Sequence, residues 1–84
     1  MKDRDISRGT LINCKGYMYH MYDEEENVMT GESEYVSGSL GIALDVIPTK
    51  DIRKFGWVAK ILISTKNYDA HIGWVWCDFV EKAN

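Results

Sequence analysis

Apolar and polar residues alternate along most of this chain at a period of two, the spacing of a half-buried β-strand, and no stretch keeps a helical period beyond one turn. Phe55 to Thr65 is the strongest such run: Trp57, Ala59, Ile61 and Ile63 share one face, while Lys60 and Ser64 mark the other as wetter. In Leu40 to Ile47, Leu40, Ile42, Leu44 and Val46 alternate, and the β-branched Ile42, Val46 and Ile47 with Gly41 favour strand over helix. Pro48 ends that run by removing an amide donor. Thr10 to Cys14 suits a first strand after Gly9, and Tyr17 to Tyr22 a second after Lys15-Gly16. His71 to Trp76 returns the chain after a turn at Lys66 to Ala70, and Phe79 to Glu81 makes a final edge strand. Val28 to Ser39, rich in Thr, Gly, Ser and Glu, reads as a long loop with a short strand around Tyr35-Val36. Thr49 to Lys54 reads as a polar hairpin connection.

This pattern predicts an all-β domain over residues 9–84, with residues 1–8 as a flexible lead-in. Five or six short antiparallel strands in so small a chain would leave long edges exposed, and closure into a small barrel removes them.

Composition narrows the class. The chain has 84 residues, 45% of them hydrophobic and 12% aromatic, enough for one core without staples. No apolar run approaches the ~18 residues of a membrane span, and Met1 to Asp5 is not followed by the apolar segment of a signal peptide. The expected location is therefore cytoplasmic. A net charge of −3 weighs against nonspecific nucleic-acid binding. The charge is uneven: Asp23 to Glu34 holds six acids and no base, whereas Lys50 to Lys66 holds five bases against Asp51. That basic edge, with Arg53, Lys54, Lys60 and Lys66, is either an ordinary solvated surface or a face for a partner.

Candidate chemistry is sparse. Cys14, Cys77, His20 and His71 are four possible metal ligands, but no close pair anchors them, and no metal or other cofactor is expected. The two cysteines read as small buried hydrophobes. Asp69 and His71, two apart on a strand, would share a face, which permits a carboxylate–histidine pair. Without a nucleophile–base pairing or a phosphate-cradling loop, no enzyme is expected. The acidic run after Tyr22 lacks the alternate-ligand spacing of a calcium loop.

Gly73-Trp74-Val75-Trp76-Cys77-Asp78-Phe79-Val80 resembles the C-terminal pattern of SH3 domains, and Phe55-Gly56-Trp57-Val58-Ala59 resembles their tryptophan strand. The layout is also similar to that of small SH3-like proteins of tailed phages, many without an assigned activity, which would put the protein in the cytoplasm of a host cell. The resemblance covers about the last 30 residues of the chain. It implies an SH3-like barrel with Val75 and Val80 in its core. It also implies that the family's grip on Pro-rich peptides is lost, because the ligand-stacking tryptophan falls at Gly56, the groove proline at Trp76 and the asparagine at Asp78.

The expected function is a non-catalytic protein-binding or assembly module, whose partner is another protein or a second copy. Its contact residues would be Trp74, Trp76, Phe79, Tyr17, Tyr19 and Tyr22, with both tryptophans on the strand face opposite Val75. The alternatives for these rings are packing over the barrel's open end or beneath the acidic loop. A single-stranded nucleic-acid-binding barrel using Arg53, Lys54, Lys60 and Lys66 is the alternative function.

Overall fold

A computed structural model describes residues 6–26, 28–48, 56–66 and 69–83. Among these, seven strands form one antiparallel sheet: β1 (Leu11–Cys14), β2 (Tyr17–Asp23), β3 (Val28–Tyr35), β4 (Leu40–Pro48), β5 (Trp57–Ile63), β6 (His71–Trp76) and β7 (Val80–Lys82). The sheet order is β3-β2-β6-β5-β4-β1-β7. Cys77–Phe79 is a single turn of 3-10 helix between β6 and β7. No helix among the described residues is long and apolar enough to cross a membrane. The all-β class is as the alternation predicts. The strands number seven rather than five or six, and the sheet is open, with β3 and β7 at its edges.

β5 is the middle strand of the sheet and has buried apolar residues on both of its sides. Trp57, Ala59, Ile61 and Ile63 are buried on the inner face, the one that packs the core. They meet Ile12 and Cys14 from β1, Met18 from β2, Ala43 from β4, Val75 from β6 and Val80 from β7 in one cluster. A single flat face cannot bring six strands onto one cluster, so the sheet curls around it. Main-chain bonds extend the β1–β4 and β1–β7 pairings at one end: the amides of Cys14 and Gly38 donate to Ser39 and Cys14 carbonyls, and Lys15 N donates to Phe79 O. The core extends to Ile6, which is only 6% exposed, inside the segment expected to be a lead-in. Gly9 N donates to Ala43 O and anchors that segment to β4. The first five residues of the expected lead-in lie outside the described residues, as does the Thr49 to Lys54 connection.

Two strands depart from the alternation pattern, each through a bulge. In β4 the register moves from Ala43↔Ile61 to Asp45↔Lys60, so Leu44 is an extra residue. Before the bulge Gly41 and Ala43 face the core; after it Val46 does. Leu40 and Ile42, which alternate with Leu44 and Val46 in the sequence, are 55% and 43% exposed on the outer face. Gly41 is needed inside because an added Cβ would stand 2.9 Å from the Leu62 carbonyl oxygen. The second bulge lies where the sequence suggested a loop. β3 pairs with β2 from Tyr17↔Tyr35 to Asp23↔Val28, and between Tyr19↔Ser33 and Met21↔Thr30 it carries one residue more than β2. Gly31, with φ of 80°, supplies the left-handed residue of this bulge. The turn between these strands is shaped by Asp23, whose Oδ1 accepts from the amides of Glu25 and Glu26 at 2.9 and 3.2 Å.

Candidate functional site

The curled sheet has two faces with different chemistry. Side chains alternate across a strand, so the residues that pair in register across neighbouring strands form rows on one face. On the outer face one row runs Leu11–Ile42–Leu62–Ile72 across β1, β4, β5 and β6. Three of its four members are 42–46% exposed. The next row is Asp45–Lys60–Trp74–Tyr19, and the third is Ile47–Val58–Trp76. Val58 is fully buried yet belongs to this outer side, flanked in register by Ile47 and Trp76.

The sequence-predicted contact residues divide between this face and the edge of the sheet. Trp74 and Trp76 are half-buried on the outer side, opposite the fully buried Val75, as expected. Tyr22 stacks on Trp74, with ring centroids 6.3 Å apart and planes 14° from parallel. Lys60 Nζ lies 5.9 Å from the centre of the Trp74 ring. Tyr19 is the cross-strand partner of Trp74. Tyr17, 53% exposed, meets Tyr35 edge-on at 5.1 Å beside the open edge. Phe79 is set apart from the tryptophans: it lies over Gly16, where an added Cβ would be 3.1 Å from the ring. Of the predicted basic residues, Arg53 and Lys54 lie outside the described residues. Lys60 stands on the outer face, whereas Lys66 borders a groove of about 410 Å³ with Glu34, Thr65 and the 37–39 turn.

Position 56 bears on the family's ligand grip. Gly56 has φ of 122°, and a Cβ built there would stand 2.7 Å from Cys77 Sγ. A stacking tryptophan at this position would strain the backbone and displace the Cys77 side chain.

The inner face holds a cluster that sequence spacing does not anticipate. His20 of β2, Glu34 of β3 and His71 of β6 converge at the rim of the core. Glu34 Oε1 lies 3.3 Å from His20 Nε2 and 3.1 Å from His71 Nε2, and the two imidazole centroids are 5.5 Å apart. Thr65 Oγ1 donates to the other carboxylate oxygen at 2.7 Å. His71 Nδ1 donates to the main-chain carbonyl of Asp69 at 2.6 Å, so the anticipated Asp69–His71 proximity runs through the backbone rather than the carboxylate. The Glu34 side chain is only 9% exposed. Burial pushes its carboxyl upward, but the hydrogen bonds from Thr65, His71 and His20 and the charge of His71 outweigh it, and the group titrates below the ordinary glutamate range. Cys14 and Cys77 are buried free thiols outside this cluster. Glu34 is not legible as a site residue in the sequence, because its segment has the composition of a loop. Pairing residues 28–35 against 17–23 around the acidic turn would have set Glu34 opposite Met18, two residues from His20.

The fold and its two faces define a small all-β domain built on one curled antiparallel sheet. No family model matches the chain, and neither the curated proteins nor the solved structures contain a significant match to it.

Proposed function

We propose that the protein is a non-catalytic protein-binding or assembly module that docks an apolar protein surface on the outer face of its sheet. The observation that carries this is the row Leu11–Ile42–Leu62–Ile72, apolar in all four strands and largely open to solvent, beside the Lys60–Trp74–Tyr22 stack. A contiguous apolar surface on a small domain marks an interface, and aromatic anchors flanked by apolar neighbours carry most of the energy of such contacts. The open edges are poor sites for association by strand addition: β7 has three residues, and β3 carries Glu32, Glu34 and a bulge. A resemblance to SH3 domains without their Pro-rich specificity agrees with this reading, since a side chain at Gly56 would meet Cys77 Sγ.

The test is light scattering of the purified protein, followed by a pull-down from its native lysate with wild-type, Trp76→Ala and Ile42→Glu baits. A second copy or a partner retained by the wild type and lost from folded variants is the expected result. Variants that associate as the wild type does would remove the outer face from the reading. The alternative, single-stranded nucleic-acid binding, is favoured by one observation, the cation-capped Trp74–Tyr22 stack. It predicts a mobility shift that weakens steeply with salt, whereas the protein-docking reading predicts none even at low salt.

A further inference from the structure

We propose that His20, Glu34 and His71 form a binding site for one borderline divalent transition-metal ion of the Zn²⁺ class. The site lies on the inner face, so it does not depend on the docking role of the outer one.

Hydrogen-bond direction is the first argument. A carbonyl oxygen can only accept, so the 2.6 Å contact with Asp69 O places the His71 hydrogen on Nδ1. Nε2 points at a carboxylate oxygen 3.1 Å away, as the second N–H donor of an imidazolium or, in the neutral ring, as a lone pair. A proton between them makes an imidazolium–carboxylate ion pair, and a divalent cation takes the place of that proton when the ring is neutral. The same oxygen faces His20 Nε2 at 3.3 Å, so two ring nitrogens and a carboxylate oxygen, each able to ligate a metal, converge on one point.

Distances are the second. Zn–N and Zn–O bonds of about 2.0–2.1 Å in a tetrahedron set donor–donor separations of about 3.3–3.4 Å. The two Glu34–histidine separations already match this. All three ligand atoms lie within 4.8 Å of one another, so closing the histidine–histidine edge needs a side-chain adjustment of no more than about 1.5 Å.

The supporting shell is the third. A metal-bound histidine typically donates its other N–H to a carbonyl or carboxylate, and a ligating carboxylate is itself hydrogen-bonded. Asp69 O holds His71, and Thr65 Oγ1 holds the second Glu34 oxygen. Two imidazoles and one carboxylate select Zn²⁺, Co²⁺, Ni²⁺ or Cu²⁺ over Ca²⁺ and Mg²⁺, which take oxygen ligands. Three protein ligands leave a fourth position for water or a partner's side chain. Glu34 and Thr65 also line the adjoining groove, and the histidine side chains keep 27% and 20% of their surface exposed, so an ion can enter from solvent.

The experiment is equilibrium dialysis of the chelator-treated full chain against Zn²⁺ at neutral pH, with thermal melting and Co²⁺ absorption as second readouts. The expected result is saturation at one ion per chain and a rise in melting temperature. Co²⁺ should give tetrahedral d–d bands without the thiolate charge-transfer band that ligation by Cys14 or Cys77 would produce. The near-isosteric Glu34→Gln should weaken Zn²⁺ uptake more than about tenfold, and His71→Ala should do the same while the far-ultraviolet spectrum is retained. Absence of saturable uptake by the wild type would overturn the site, as would a thiolate band or undiminished uptake by folded Glu34→Gln.

Discussion

At the scale of single residues, two buried side chains make sharp demands on their surroundings. Cys14 is 1% exposed, and burial pushes its thiol up to about 11 from an ordinary value of 9.0. The folded state therefore favours the neutral thiol. Its contribution to stability is complete below pH 9, where the unfolded thiol is protonated, and is lost as the pH rises through about 11. Urea melts of the wild type should weaken more steeply over this window than those of Cys14→Ala; parallel slopes would show that the thiol is not the titrating group. At pH 8 iodoacetamide should label Cys14 only after unfolding, which mass spectrometry reads directly. Met18 makes the second demand, since its side chain lies across Gly73 where any Cβ would overlap it. Gly73→Ala should destabilise by about 1–3 kcal/mol in denaturant titration, as overpacking does in a filled core. A neutral result would mean that Met18 has free space to move.

At the scale of elements, β4 tests the face assignment. Ile42 is 43% exposed and Ala43 is fully buried, the reverse of what uninterrupted alternation from Leu40 to Val46 implies. In the monomer Ile42→Ser should change stability by no more than about 0.5 kcal/mol. Ala43→Leu, which forces a larger side chain against Ile61, should cost about 1–3 kcal/mol. The opposite ranking in urea melts would return Ile42 to the core. The same strand shows what the sequence can and cannot convey. Period-two patterning marks a strand wherever one face is dry, so β5 and β6 and their core residues Trp57, Ile61 and Val75 were legible. A bulge leaves the residues on either side looking like one continuous alternation, so the reversal at Leu44 was not. β3 escaped for another reason: as an edge strand it buries little, and Thr, Gly, Ser and Glu satisfy an edge while reading as a loop. With β3 unread, Glu34 had no strand partner, and His20 and His71 remained two isolated histidines 51 positions apart.

At the scale of the whole molecule, one sheet separates two kinds of chemistry. The outer face is apolar, and Asp45 and Lys60, paired in register, balance each other there; the inner rim carries two imidazoles and a carboxylate. Side chains on opposite faces of a strand share no direct partners, and perturbations at such sites add. An Ile42→Glu/Ile72→Glu variant should therefore lose association through the outer face while taking up Zn²⁺ with unchanged affinity. His71→Ala should lose Zn²⁺ and associate as the wild type does. Sedimentation velocity and dialysis on the same two samples measure both properties. Trp74 and Gly73 are neighbours on β6, as Tyr19 and His20 are on β2, so these two strands connect the faces. A Zn²⁺-dependent change in sedimentation that disappears in His71→Ala would show that they carry such coupling. Its absence is expected, because the metal ligands and the exposed apolar row lie on opposite faces of the sheet.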